Sequence, residues 1–188
     1  LEKIALHRSV QNRRRDRSGV RVVALVGYTN AGKTTLFNRL SSESAFVEDK
    51  LFATLDPLTR RVYLPGAGNI LVIDTVGFIK NLPVELVESF KSTLEVARDA
   101  HLILHVVDIS NPTFEEQMFE VEKILAELGA GDAPTMMVFN KTDALDKPGR
   151  LGAMLKSNPG AASVSALKNE SIDNLKEEIA RRLSSQTV

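Results

Sequence analysis

The sequence contains no cysteine and no tryptophan, and it has no excess of charge of either sign. The absence of cysteine excludes disulfide bonds and cysteine-ligated zinc, and it is compatible with a reducing compartment. With 24 basic and 24 acidic residues the formal net charge is zero, so overall electrostatics favour neither nucleic acid nor a membrane surface. No apolar run reaches the length of a membrane span and no signal peptide is visible, so we expect a cytoplasmic protein.

The 188 residues suit one domain with a full hydrophobic core, preceded by a short tail. The tail, residues 1–18, is polar and basic and ends in a cluster of arginines. Such a cluster is either a solvated linker or a contact for RNA phosphates. The chain starts at Leu1, in what reads as the middle of a helix. We therefore expect residues 1–18 to be a basic helical tail or linker of a longer protein and residues 19–188 to be the functional domain.

Short apolar runs alternate with helical stretches from residue 20 onward, which predicts an α/β fold. The candidate strands are 20–26, 61–64, 69–74, 102–107, 135–139 and 161–163, and the candidate helices are 33–42, 83–98, 112–128, 146–156 and 171–183. Glycine and proline between the second and third strands predict a tight turn, which makes that pair antiparallel. The expected architecture is a mixed, mostly parallel six-stranded sheet flanked by helices.

One stretch fits the phosphate-binding pattern G-x-x-x-x-G-K-[ST]. Residues 27–34 read Gly-Tyr-Thr-Asn-Ala-Gly-Lys-Thr and lie between a predicted strand and a predicted helix, which is the setting the pattern requires. Main-chain N–H groups and the helix N-terminus would hold phosphate oxygens, while Lys33 reaches the β- and γ-phosphates and the Thr34 hydroxyl ligates Mg2+. The alternative is a glycine-rich turn without chemistry. The predicted nucleotide contacts here are Gly27, Asn30, Ala31, Gly32, Lys33, Thr34 and Thr35.

A second motif, D-x-x-G, follows the third predicted strand at Asp74 and Gly77. An aspartate at this end of a strand beside a phosphate loop can hold Mg2+, usually through water, and the glycine N–H can meet a γ-phosphate. Alone the motif is weak, because aspartate and glycine often end strands as turn residues.

The motif N-K-x-D at residues 140–143 selects the base. The Asp143 carboxylate can accept hydrogen bonds from N1–H and the 2-amino group of guanine, and adenine has no matching pair of donors. We therefore predict GTP or GDP as the ligand. Asn140 would connect the surrounding loops and the Lys141 stem would cover the base. At the end of the last strand, Ser165 and Ala166 complete the predicted base contacts, with the Ala166 N–H facing guanine O6.

The stretch 51–61 is the candidate γ-phosphate sensor. Such a loop needs a threonine whose hydroxyl binds Mg2+ and whose N–H touches the γ-phosphate, so that hydrolysis releases the loop. Thr54 is preferred over Thr59. Arg60 and Arg61 follow, but surface arginines seldom stabilise transition-state charge. His101 and His105 have no third metal ligand nearby in the sequence, so we expect them to be structural.

Together these motifs resemble the GTPase domain of the HflX family of ribosome-associated GTPases. The resemblance covers residues 20–183 and is carried by residues 27–38, Leu-Phe-Ala-Thr-Leu-Asp-Pro at 51–57, Asp-Thr-Val-Gly-Phe-Ile at 74–79 with Asn-Leu-Pro at 81–83, and Asn-Lys-Thr-Asp at 140–143. It implies the P-loop NTPase, Ras-like GTPase fold and, as partner, the ribosome, mainly its large subunit and rRNA. We expect a monomer. Catalytic roles are expected for Lys33, Thr54 and Gly77, and metal contacts for Thr34, Thr54 and Asp74.

The chain departs from the family at two points. Family members carry a further domain before the GTPase domain, and only residues 1–18, as a helical remnant of that missing N-terminal domain, could belong to it here. Thr34 stands where many members have serine, a change between two hydroxyls from which we expect little consequence. Ras-like proteins have a water-orienting glutamine after the D-x-x-G glycine, but this chain has Phe78. We therefore expect slow intrinsic hydrolysis that the ribosome stimulates. The alternative is a recruitment module whose binding to a partner is controlled by GTP.

Asn30 of the phosphate loop has two possible roles. It either ligates K+ or only braces its loop.

Overall fold

The computed structural model describes residues 20–41, 58–75, 77 and 96–185. The strands are β1 (Arg21–Gly27), β2 (Leu58–Leu64), β3 (Gly68–Asp74), β4 (Leu102–Asp108), β5 (Thr135–Asn140) and β6 (Ala162–Ser163). The helices are α1 (Lys33–Ser41), α2 (Phe114–Glu127), α3 (Pro148–Ser157) and α4 (Ile172–Ser185), with a 3-10 turn at Thr142–Ala144. The predicted tail and most of the predicted helix 83–98 lie outside the described residues; residues 96–98 are helical.

The six strands form one sheet in the order β2-β3-β1-β4-β5-β6. All neighbouring strands run parallel except β2 and β3, which are antiparallel. The predicted mixed, mostly parallel sheet is therefore confirmed. The turn between β2 and β3 is closed by the Ala67 N–H, which donates to the Leu64 carbonyl at 3.1 Å. Strand β2 begins at Leu58, three residues before the predicted start, because its pairing with β3 continues to Asp74.

Strand β1 is the centre of the sheet. It pairs in parallel with β3 on one side and with β4 on the other, and every residue from Val22 to Gly27 is buried. A strand covered on both faces needs a continuous apolar run rather than an alternating one, which is what the sequence has. The carboxyl ends of β1, β3, β4 and β5 consequently meet at one edge of the sheet, where loops can converge.

Helices cover both faces of the sheet. On one face, buried residues of α1 and α4 such as Phe37 and Leu175 share a core with alternate residues of the strands. On the other face, α2 packs through Val121 and Leu125, together with Ala97 of the helical residues 96–98. No helix in the part of the chain that the structure describes is long and apolar enough to cross a membrane.

His101, which immediately precedes β4, and His105, which lies within β4, have different surroundings. The His101 Nδ1 accepts a hydrogen bond from the Val22 N–H at 3.1 Å, and the His101 N–H donates to the Val22 carbonyl at 2.9 Å. His101 thus fixes the start of β1 against β4. His105 lies within β4 and is 1% exposed. Among the residues with described positions, no group of three potential metal ligands occurs.

Burial of His105 makes the fold sensitive to acid. Burial, and secondarily the charge of Lys33, lowers the pKa of His105 from 6.5 to about 4. Between these values the unfolded chain binds the proton and the folded chain does not, so stability is lost as pH falls through this window. We expect the His105 contribution to cost about 2 kcal/mol between pH 7 and pH 5.

The measurement is urea unfolding of the wild type and of His105→Gln at several pH values in that range. The variant should lose stability less steeply on acidification, because glutamine does not titrate. An equal slope in both proteins would contradict the assignment.

Candidate functional site

The loop between β1 and α1 encloses a space at the carboxyl edge of the sheet. Strand β1 ends at Gly27, and the Ala31 N–H donates to the Tyr28 carbonyl at 3.2 Å. Asn30 and Gly32 have positive φ angles of 61° and 86°, which turn the backbone back on itself. Helix α1 then begins at Lys33, so the unpaired N–H groups of its first turn lie beside the loop. This geometry supports the predicted anion site, and Thr35 lies in that first turn.

Close packing explains why glycine occupies two positions of the loop. A Cβ on Gly27 would overlap the carbonyl oxygen of Val106 in the adjacent strand β4, and a Cβ on Gly32 would overlap the Asn140 side-chain amide. Glycine in a phosphate loop allows the backbone to turn and to approach the phosphates closely. The structure adds contacts with residues far along the chain.

Lys33 lies inside the loop. It is 6% exposed, and its Nζ donates to the carbonyls of Gly27 at 3.2 Å and Tyr28 at 3.0 Å. Burial lowers its pKa from 10.5 to about 8, although the nearby charge of Asp74 acts in the opposite direction. An anion beside Lys33 would stabilise the charged form, so the lysine is set to gain from phosphate binding.

The two described residues predicted to hold a metal lie together. The Thr34 hydroxyl donates to Asp74 Oδ2 at 2.6 Å, and Asp74, at the end of β3, is fully buried. A hydroxyl and a carboxylate are oxygen ligands of the kind that Mg2+ prefers, and Mg2+ in phosphate sites commonly uses only one or two protein ligands. The donor set therefore fits Mg2+.

Asn140, at the end of β5, connects two loops of the site. Its Nδ2 donates to the Ala31 carbonyl at 2.9 Å, and its Oδ1 accepts from the Ala166 N–H at 3.0 Å. The asparagine is 2% exposed. One side chain thus holds the loop after β1 and the loop after β6 in a fixed relation, as predicted.

Ser165 orients the predicted base-reading carboxylate. Its hydroxyl donates to Asp143 Oδ1 at 2.5 Å and accepts from the Lys168 N–H at 3.1 Å. Ser165 is fully buried, whereas Asp143 is half-buried in the 3-10 turn. The Ser165 hydroxyl therefore fixes the orientation of the Asp143 carboxylate.

Lys141 is held by a residue that our sequence reasoning did not select. Its Nζ lies 2.8 Å from Asp108 Oδ2, and the other oxygen, Asp108 Oδ1, accepts from the N–H and hydroxyl of Ser110. Lys141 has a φ of 61°, the left-handed conformation. Asp108 could have been found, because it ends β4 as Asp74 ends β3 and Asn140 ends β5.

We expect Asp108→Asn to weaken GDP binding about threefold to tenfold, since Lys141 loses the ion pair that holds it and the pair is only partly exposed. Titration calorimetry with GDP measures the change. Asp99→Asn is the matched control, because Asp99 is an exposed aspartate paired with Arg98. Equal affinity in the Asp108 variant and the wild type would show that Lys141 needs no partner.

Arg39 is a second residue that the sequence did not reveal. From the last turn of α1 its guanidinium donates to the carbonyls of Ala166 and Leu167, both at 2.9 Å. The partners are 127 and 128 positions away in the sequence, so no local pattern indicates the contact. The helix that follows the phosphate loop and the predicted base-binding loop are thereby joined.

Two residues of the predicted site are outside the described part of the chain, and Arg60, which follows the candidate γ-phosphate sensor, packs away from the phosphate loop. Thr54 and Phe78 lie outside the described residues. Arg60 stacks over Phe37, 5.2 Å from the ring centroid, and its Nη1 donates to Ser41 Oγ at 3.1 Å. Ser41 ends α1, about 12 Å along the helix from its start at Lys33. Arg60 therefore packs at the end of α1 opposite the phosphate loop.

Comparison with known proteins identifies the class. The family model described as 50S ribosome-binding GTPase matches residues 22–141. A GTP-binding protein of the hyperthermophilic archaeon Sulfolobus solfataricus, solved in complex with GDP, superposes with a TM-score of 0.72 at 23% identity, over 98% of this chain and 59% of that one. The predicted P-loop GTPase fold is confirmed, and the chain belongs to the family of 50S ribosome-binding GTPases.

Within this class the relatives are GTPases named HflX. The HflX protein of Caldanaerobacter subterraneus subsp. tengcongensis is 46% identical over 187 residues, which cover 100% of this chain and 42% of the relative. That of Escherichia coli strain K12 is 40% identical over 187 residues, covering 99% and 44% respectively. The resemblance to the HflX GTPase domain is thus confirmed, and the chain spans about two fifths of the length of these relatives.

Proposed function

We propose that this chain is the GTP-binding and GTP-hydrolysing part of a ribosome-associated switch protein. The observation that carries the proposal is the convergence of three sequence motifs at one edge of the sheet. The Thr34 hydroxyl donates to Asp74 of the second motif, and the charge of Asp74 is near enough to Lys33 to raise its pKa. Asn140 of the third motif donates to the Ala31 carbonyl. This convergence of the three motifs supports a single nucleotide site.

The proposed nucleotide contacts divide into two groups. The loop residues Gly27, Asn30, Ala31, Gly32, Lys33, Thr34 and Thr35 hold the phosphates, and Asn140, Lys141, Asp143, Ser165 and Ala166 form the base site. Mg2+ would be held by Thr34 and Asp74, joined by Thr54 when GTP is bound. The ion would neutralise charge on the phosphate oxygens. The domain division at residue 18 and a monomeric state belong to the same proposal.

For hydrolysis, Lys33 stabilises charge on the γ-phosphoryl group, and the Gly77 N–H donates to one of its oxygens. Gly77 supports this role by position, since a Cβ there would lie 3.0 Å from Lys33 Nζ. The chain has Phe78 where a water-orienting glutamine would stand, so intrinsic turnover is slow. A rearranged loop or the ribosome supplies the missing group.

The proposed partner is the large ribosomal subunit, and the proposed location of this protein is the cytoplasm. The name of the matching family model supports this assignment. Because the relatives extend well beyond this chain, ribosome contacts can also come from segments outside residues 1–188. A GTP-gated recruitment module, in which hydrolysis is incidental, is the second candidate, and Phe78 is the observation in its favour.

Single-turnover GTP hydrolysis with and without purified large subunits tests the proposal. The expected result is a rate well below about 1 s⁻¹ for the chain alone and strong stimulation by the subunits. GTP-dependent binding to subunits without stimulation would favour the recruitment module. A rate already above about 1 s⁻¹ and unchanged by subunits would contradict the slow, assisted mechanism.

Asn30 is the proposed K+ ligand. It is exposed at the mouth of the loop, and within residues 20–41, 58–75, 77 and 96–185 no hydrogen bond of its side chain is present, which disfavours a bracing role. K+ there would add positive charge beside the transferred phosphoryl group. Hydrolysis should be faster in KCl than in NaCl at matched ionic strength, and equal rates would exclude the role.

A further inference from the structure

One buried hydroxyl of the phosphate loop is not used by any role described above. Thr29 is 7% exposed, and its Oγ1 is buried without a hydrogen-bond partner among the residues that the structure describes. A buried hydroxyl without a partner is costly, so such groups commonly have one in the functional state. We therefore expect Thr29 Oγ1 to form a hydrogen bond in the functional state of the protein.

The position of Thr29 indicates what kind of partner fits. A Cβ built on Gly77 would lie 2.9 Å from Thr29 Cα, 3.0 Å from Thr29 Cγ2 and 3.0 Å from Lys33 Nζ. Thr29 and Lys33 thus both pack against the Gly77 backbone. Thr29 makes its contact through Cα and the methyl group, and Oγ1, which is bonded to the same carbon as Cγ2, lies beside that contact.

The charged side chain that packs against Gly77 together with Thr29 is a donor. Lys33 Nζ carries only N–H donors, and its described acceptors are the carbonyls of Gly27 and Tyr28. An acceptor placed among the Thr29 hydroxyl, the Lys33 ammonium and the Gly77 main-chain N–H would serve all three donors. A phosphoryl oxygen is such an acceptor.

We infer that the Thr29 hydroxyl donates a hydrogen bond to the γ-phosphoryl group of GTP. This inference rests on the proposed function and adds a side-chain contact that GTP has and GDP lacks. The hydroxyl helps the loop to distinguish the two nucleotides, and it contributes to the charge stabilisation that Phe78 cannot supply.

The test compares Thr29→Val, which keeps the shape and removes the hydroxyl, with Thr29→Ser, which keeps the hydroxyl. Affinities for GDP and for the non-hydrolysable GTP analogue GMPPNP are measured by calorimetry with Mg2+. Thr29→Val should bind GMPPNP about tenfold or more weakly and GDP within about twofold of the wild type. Thr29→Ser should restore most of the GMPPNP affinity.

Two results for Thr29→Val would each overturn the inference alone: unchanged GMPPNP affinity, or equal losses for GDP and GMPPNP, which would mean that the hydroxyl serves the loop itself. A wild-type chain that binds neither nucleotide would overturn the proposed function and this inference together. A melting temperature for each nucleotide-free variant separates loss of contact from loss of folding. If Thr29→Ser loses as much GMPPNP affinity as Thr29→Val, the hydroxyl does not bind the γ-phosphoryl group, and the inference is wrong.

Discussion

Replacing Asp143 by asparagine is expected to weaken GDP binding at least about 100-fold and to create affinity for xanthosine diphosphate. Guanine presents two donors to the carboxylate, and an amide can accept only one of them. Xanthine has a carbonyl in place of the 2-amino group, so it can accept from the amide N–H. Ser165, which donates to Asp143 Oδ1, would continue to donate to the amide oxygen and so orient the amide.

Competition among GDP, xanthosine diphosphate and ADP for one labelled nucleotide measures this switch. Asp146→Asn is the control, because Asp146 is an exposed aspartate three positions further along and its replacement should leave all three affinities unchanged. Asp143→Asn that still prefers GDP would mean that the carboxylate does not read the base. If the wild type bound ADP as tightly as GDP, the ligand would not be specifically a guanine nucleotide, and an ATPase function would have to be considered.

The strands and helices could be predicted because their signals are local. The run of apolar residues in β1 is continuous since that strand is covered on both faces, and α4 repeats buried residues at helical spacing, as at Leu175 and Ile179. Boundaries were less predictable. The start of β2 at Leu58 depends on pairing with β3, and its polar residues give no apolar pattern.

The site shows the same division between local and distant information. Residues that contact a nucleotide follow motifs of fixed spacing, so Lys33 and Asp143 could be selected from the sequence. Residues that hold those side chains in position follow no motif. Arg39 donates to the backbone carbonyls of Ala166 and Leu167. Every residue has a backbone carbonyl, so the sequence does not indicate which ones a side chain contacts. Asp108 is an intermediate case: the sequence placed it at the end of a strand but did not indicate its ion pair with Lys141.

Gly27 illustrates how a motif residue can have a second, structural cause. Its φ is +156°, and a Cβ would overlap the carbonyl of Val106, with which it is paired in the centre of the sheet. Relief requires β1 and β4 to separate. We expect Gly27→Ala to lower the stability of the nucleotide-free protein by about 3 kcal/mol or more, and the melting temperature by about 10 °C.

The measurement is made on the nucleotide-free protein, because without phosphates a loss of stability can be attributed to the contact between Gly27 and β4. Gly152→Ala is the matched control: Gly152 lies in α3, and a Cβ would meet no atom within 4 Å. Since alanine is the better helix former by up to about 1 kcal/mol, this variant should melt at the wild-type temperature or slightly above it. If Gly27→Ala instead melts with the wild type and loses only nucleotide binding, β4 is not the constraint, and glycine is required there by the phosphates alone.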